Sequence, residues 1–180
     1  MRPIICYAFC SAVAFAAVLM PSAPAAAQAV GKGISNLELP RFVSLKASRA
    51  NLRVGPGRNY AVDWTLVKPG TPLEVVQEFE LWRRVRYADG TEGWLYHSLL
   101  SGKRMATTAP WKASDESSVH IEARAKAAPE AAITAKFEPN VLVEVRECDG
   151  TWCNVRHQNG QGWIRQTELW GVYPQEKIDG

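Results

Sequence analysis

The stretch Tyr87-Ala88-Asp89-Gly90-Thr91-Glu92-Gly93-Trp94-Leu95 decides how this chain folds. Asp89-Gly90 is a strong hairpin signal, because a tight turn needs residues that tolerate positive φ, and glycine does so without steric cost. Before it, Trp82-Arg83-Arg84-Val85-Arg86-Tyr87 mixes aromatic, β-branched and charged residues as a half-buried strand does. After it, Gly93-Trp94-Leu95-Tyr96 makes a second aromatic strand. The arrangement returns in Trp152-Cys153-Asn154-Val155-Arg156-His157, Asn159-Gly160 and Gly162-Trp163-Ile164-Arg165. An Asn-Gly turn replaces the Asp-Gly turn, and Gly-Trp follows each.

The repeat extends outward from the hairpins. At a shift of 70, Pro69 matches Pro139, Val75 matches Val145, Trp82 matches Trp152 and Gly90 matches Gly160. One residue is then lost, and Gly93-Trp94-Leu95 matches Gly162-Trp163-Ile164. Short strands with turn signals every 8–12 residues predict an all-β fold of small barrels or sandwiches. A copy of roughly 60 residues is near the lower limit for an independent core, and closure into a barrel removes exposed edges. The organisation read here is a leader over residues 1–27, a flexible lead-in over 28–41, module 1 over 42–102, a linker over 103–118, module 2 over 119–173 and a tail over 174–180. Trp111 stands out in the linker as a residue able to pack against a module and fix the two at one angle. In module 2 the Asn51-to-Gly57 stretch has become alanine-rich, so its loop is either structural or serves a different contact.

Arg2, an apolar run from Ile4 to Met20, and Ala25-Ala26-Ala27 have the form of a cleaved secretory signal, with a mature chain beginning near Gln28. The run falls short of the ~18 residues of a spanning helix. The chain carries 21 basic and 18 acidic residues, and removal of the leader takes away only Arg2 among them. This balance argues against a nucleic-acid partner.

The mature part keeps Cys148 and Cys153, in Cys-Asp-Gly-Thr-Trp-Cys. Asp149-Gly150 is a turn signal, so the cysteines face each other across a hairpin, and an oxidising compartment favours a disulfide. A zinc site would need more ligands than this pair and His97, His120 and His157 offer, and a redox motif usually has two residues between its cysteines. At the shift of 70, Cys148 falls on Glu78 and Cys153 on Arg83. Opposite charges in one copy therefore stand where the other has a disulfide, as expected of cross-strand neighbours.

Catalysis needs a nucleophile with its base, paired carboxylates, or a metal. A disulfide-bonded Cys153 is no nucleophile for His157, so the expectation is a non-enzymatic protein with neither metal nor cofactor. All seven tryptophans lie in the mature part. Trp94 and Trp163 are expected in the core or hairpin. Trp82 and Val85 are three apart, so on a strand they face opposite sides; if Val85 faces the core, Trp82 faces out. Arg84 and Arg86 share the Trp82 side. Tyr60, Trp64 and Tyr96 are its expected neighbours, which makes Tyr60, Trp64, Trp82, Arg84, Arg86 and Tyr96 the candidate ligand-binding residues. The competing reading of the arginines is a solvated charged hairpin.

Asn51-Leu52-Arg53-Val54-Gly55-Pro56, Lys68-Pro69-Gly70, Trp82-x-x-Val85 and Gly93-Trp94-Leu95, in this order, resemble a bacterial SH3-like domain, in particular exported proteins with tandem copies. Copy two keeps the last two motifs and a degraded first one, so the resemblance covers about residues 42–172. It implies two small β-barrels of five or six strands and a non-catalytic role in the periplasm or outside the cell. The implied partner is peptidoglycan or a periplasmic protein. Other readings are a regulatory subunit of an envelope protein and a degenerate cell-wall hydrolase. The A-L-Y-D-Y segment with which eukaryotic relatives bind proline-rich peptides does not occur here.

Overall fold

The computed structural model describes residues 31–112 and 119–180. The expected leader, 1–27, and residues 113–118 of the expected linker lie outside the described residues. The described residues are essentially all-β. Strands β1 (Gly31–Lys32) and β2 (Glu38–Leu39) form a small hairpin. β3 (Arg41–Leu45), β4 (Ala50–Arg53), β5 (Val62–Leu66), β6 (Pro72–Phe79), β7 (Trp82–Arg86), β8 (Glu92–Tyr96) and β9 (Leu100–Ser101) make the sheet of module 1. Its order is β5-β4-β8-β7-β6-β3-β9, an open antiparallel path rather than a hydrogen-bonded ring. β10 (Met105–Thr108), β11 (Ile121–Arg124), β12 (Ile133–Phe137), β13 (Leu142–Asp149), β14 (Trp152–His157), β15 (Gly160–Arg165) and β16 (Leu169–Trp170) repeat that path, and β17 (Lys177–Ile178) adds to β13.

The two copies agree in detail. β6 bulges between Val75 and Gln77, and β13 bulges between Val145 and Glu147. The alanine-rich loop of module 2 keeps the loop conformation of module 1. The Val54 N–H donates to the Ala61 carbonyl and the Ala125 N–H to that of Ala132, while Arg53 reaches the Tyr60 carbonyl and Arg124 that of Ala131. Over these strands the copies are related by a shift of 71, since Leu66 and Phe137 stand opposite Ala50 and Ile121. Hydrogen bonds of the backbone therefore preserve a loop whose glycines have been lost.

Three stretches outside the two expected modules carry strands of their own. Residues 31–39 are not a featureless lead-in but a hairpin tied down by Glu78, which accepts hydrogen bonds from the Ser35 N–H and hydroxyl, both at 2.7 Å. The sheet of module 2 also takes in β10, from inside the expected linker. The Thr108 hydroxyl donates to the Glu138 carbonyl at 2.7 Å and accepts from the Val141 N–H at 2.9 Å, a polar anchor in the place where module 1 buries Leu45. The expected tail is held by β17, whose Ile178 stands beside Cys148.

Each module has its own core. Leu45, Leu52, Leu73, Val75, Val85 and Leu95 fill the first, and Ile121, Phe137, Val143, Val155 and Ile164 are among those filling the second. The Gly-Trp pairs owe their glycines to close packing. A Cβ on Gly93 would lie 2.4 Å from Leu52 Cγ, and one on Gly162 would lie 2.8 Å from the Arg124 carbonyl oxygen. Of the two expected places, core or hairpin, Trp94 and Trp163 take the hairpin: they are half-buried on the outer face, because Leu95 and Ile164 take the inward positions of the alternation.

Glu78 and Arg83 are cross-strand partners, as are Cys148 and Cys153. In module 1 Arg83 Nε lies 3.0 Å from Glu78 Oε1, and in module 2 the two sulfurs are bonded. Non-reducing peptide mapping of the protein isolated under non-reducing conditions is expected to recover the Cys148–Cys153 crosslink. Its reduction should cost at most ~2–3 kcal/mol, because the closed loop is short. Two free thiols in freshly isolated protein would contradict this.

The modules are packed against each other by aromatic side chains. Phe42 of β3 meets the Trp170 ring edge-on at 5.2 Å and the tilted Tyr173 ring at 4.7 Å. The Tyr173 hydroxyl donates to Glu74 Oε1 at 3.0 Å. Burial and the Glu74 carboxylate push the Tyr173 pKa well above the usual phenol range, so the hydroxyl keeps its proton. Trp111, which the sequence marks as able to pack against a module, is 56% exposed and lines a cleft with Phe42 of module 1 and Trp170 of module 2.

Candidate functional site

Alternation along β7 buries Arg83 and Val85 and turns Trp82, Arg84 and Arg86 outward. Cross-strand pairing sets Trp82 opposite Tyr96, Arg84 opposite Trp94 and Arg86 opposite Glu92. The outer face of the hairpin therefore carries an aromatic end and a charged end. At the aromatic end the Trp82 and Tyr96 rings meet edge-on, with centroids 5.5 Å apart. They wall an open groove of about 560 Å³, lined also by Arg49, Asn51, Arg53 and Arg58.

The arginines of this groove are not the ones expected from the sequence. Arg84 Nη2 lies 2.8 Å from Glu92 Oε2, and Arg86 pairs with both Glu92 and Glu74. The hydrogen bond that Arg86 donates to Glu92, together with the charges of Glu74 and Glu92, raises the Arg86 pKa further despite its partial burial. These two guanidinium groups are thus paired with Glu92 of the hairpin and, from β6, with Glu74. Arg49, Arg53 and Arg58 have no carboxylate partner among the described residues; Arg53 Nη1 donates to the Tyr60 carbonyl at 2.6 Å. The signal was present in Arg49-Ala50-Asn51-Leu52-Arg53, where a period of two buries Ala50 and Leu52 and turns the other three outward.

Tyr60 and Trp64 are not brought to Trp82. The Tyr60 ring folds back over the Gly55-Pro56-Gly57 loop, so close that a Cβ on Gly55 would lie 2.3 Å from its ring. Trp64, 60% exposed, stands on β5 beside a separate cavity.

Module 2 has no open equivalent. Trp152 takes the position of Trp82 but is only 6% exposed. Arg165, opposite it where module 1 has Tyr96, places its guanidinium carbon 4.6 Å from the ring centroid. Glu122 stands where module 1 has Asn51 and pairs with Arg124. The groove is filled by its own cation and carries an acid.

The remaining candidates for chemistry lie apart from the groove. Cys153 is held in the disulfide, and His157 packs edge-on against Phe137 at 5.8 Å. Among the described residues no group of three acidic, histidine or cysteine side chains could hold a metal ion.

Comparison with known proteins places the sequence. The bacterial SH3 domain model matches residues 46–102 and again 118–171. No curated protein matches. Among solved structures, NlpC2 from Trichomonas vaginalis is similar at 13% identity and a TM-score of 0.32, over 78% of this chain and 51% of that one. NlpC1 from the same organism gives 13% and 0.32, over 84% and 51%. An NlpC/P60 family protein from Bacillus cereus gives 11% and 0.31, over 76% and 58%. This chain thus spans about half the length of the solved structures it matches. With each matched segment covering most of one of the two sheets, the chain belongs to the bacterial SH3 domain family and carries two tandem copies of that domain.

Proposed function

We propose that this chain is a non-catalytic binding protein of the cell envelope, exported to the periplasm or beyond. Its first module takes a ligand with both apolar and carboxylate parts, and the stem peptides of peptidoglycan have this chemistry. The observation that carries the reading is the pairing of a half-buried aromatic corner that walls the groove, Trp82 with Tyr96, with three arginines that lack acidic partners among the described residues. Guanidinium groups bind carboxylates in two-pronged fashion and stack on aromatic faces. Module 2 serves as the support, since Arg165 covers Trp152.

Binding to purified sacculi tests the proposal. Trp82→Ala is expected to remain folded, because the ring is half-buried on the outer face, and to bind roughly thirtyfold more weakly, as loss of an anchor of ~2 kcal/mol implies. Wild-type binding by the folded variant, or an unfolded circular dichroism spectrum, would overturn the assignment of this groove.

A further inference from the structure

The two modules differ sharply at one place outside the groove. In module 2, Phe137 of β12 is buried and its ring meets His157. Thr134 Oγ1 donates to the Gln161 carbonyl at 2.8 Å and so ties β12 to the β14–β15 hairpin. In module 1 the corresponding positions hold Leu66, Tyr87 and Asp63. A smaller side chain replaces the ring, and no hydrogen bond between side chain and backbone ties β5 to the β7–β8 hairpin among the described residues. What remains is an apolar slot of about 170 Å³, lined by Leu52, Trp64, Leu66, Leu73, Val85 and Tyr87. Leu52, Leu73 and Val85 belong to the core, so the slot opens the interior of the module to the surface.

We propose that this slot is a second binding site, which receives one aromatic side chain from an extended segment of a partner protein. Module 2 shows what fills the place when the chain supplies it: a phenylalanine ring. A cavity of ~150 Å³ lined by aliphatic side chains accepts benzene, so the volume suits a single ring. The surroundings favour a peptide as the bearer of that ring. β5 ends the sheet, and its outer edge is unpaired among the described residues. Such an edge accepts a further strand through main-chain hydrogen bonds. Val62, Trp64 and Val67, on or next to that strand, are 43%, 60% and 66% exposed, and Trp64, opposite Leu52, faces the slot. Asp89 lines the slot and Asp63 precedes Trp64 on β5, and these acids favour a segment with flanking cations. The site is independent of the arginine groove, since none of the slot's residues lines that groove.

The test uses the intact protein and two five-residue peptides with blocked ends. Both have lysine at each end and threonine at the second and fourth positions, with phenylalanine in the centre of one and alanine in the other. Titration followed by tryptophan fluorescence and by amide NMR shifts on β5 is expected to show binding of the phenylalanine peptide, at least roughly tenfold tighter than the alanine peptide. Leu66→Phe copies module 2 and is expected to abolish peptide binding while leaving sacculus binding unchanged. Trp64→Ala, at an exposed position, is expected to weaken peptide binding and carries the test if Leu66→Phe does not fold. Equal binding of the two peptides, or undiminished binding by both variants, would overturn the proposal. So would binding of free N-acetylphenylalaninamide as tightly as the peptide, since the slot would then be a small-molecule pocket without a role for the β5 edge.

Discussion

Replacing Glu78 with alanine is expected to destabilise module 1 by about 3–5 kcal/mol, the usual loss when one member of a buried charge cluster is removed. The carboxylate is fully buried and serves three partners. It accepts two hydrogen bonds from Ser35, one from Arg41 Nη2 at 2.6 Å, and an ion pair from Arg83 Nε at 3.0 Å. The variant leaves Arg83 buried without its acid and frees the β1–β2 hairpin. The pH dependence has a definite sign. Burial opposes ionisation, but the hydrogen bonds from the Ser35 backbone and hydroxyl and from Arg41 outweigh it and hold the Glu78 pKa at about 2. Because the folded pKa lies below the unfolded one, the stabilisation is fully present above the ordinary glutamate range. It is lost as pH falls from ~4.5 towards 2, to the extent of about 3 kcal/mol. Urea denaturation at pH 7, 4 and 2.5 reads this directly, and Glu78→Gln should flatten the profile. Parallel pH profiles for wild type and Glu78→Gln would show that this carboxylate is not the acid-sensitive group.

Leu95→Ala is expected to cost about 2–5 kcal/mol, the range for a leucine truncated in a closed core. Leu95 is fully buried with Leu45, Leu73, Val75 and Val85. It also follows Gly93-Trp94, so the change loosens the strand that presents Tyr96 to the groove. The effect should reach the other module. Phe42 lies between Trp170 and Tyr173, and unfolding of module 1 bares both rings. Hydrogen exchange should therefore accelerate at Leu169–Val172 as well as in the first sheet. A midpoint shift worth less than 1 kcal/mol, or unchanged exchange at Leu169–Val172, would refute the shared packing.

The hairpins were legible in the sequence because their signals are local. Asp89-Gly90, Asn159-Gly160 and the Trp-x-x-Val strands specify turn, period and facing without knowledge of the rest of the chain. The outward placement of Trp82 followed from one parity argument, and the Cys148–Cys153 pair from a turn signal and its match to Glu78 and Arg83. What escaped was non-local. β10 contains the unremarkable Met105-Ala106-Thr107-Thr108, and only its partners Leu142 to Glu144 reveal it as a strand. The lead-in hairpin depends on Glu78, 43 residues beyond Ser35. The groove arginines were missed because Arg84 and Arg86 are closest to Trp82 along the chain. The structure gives those two to Glu92 and brings Arg49, Arg53 and Arg58 across from other segments.

One substitution between the copies also separates them in time. At equivalent cross-strand positions, module 1 joins its strands through Glu78 and Arg83, module 2 through Cys148 and Cys153. An ion pair forms as soon as the strands meet, in any redox surroundings. A disulfide waits for an oxidant. In a reducing medium the first half of this protein can mature fully while the second remains uncrosslinked, with β17 resting on a β13–β14 hairpin that has yet to be sealed. Sealing of the second half thus requires an oxidant, and the half that carries the open groove has its ion pair in that place instead.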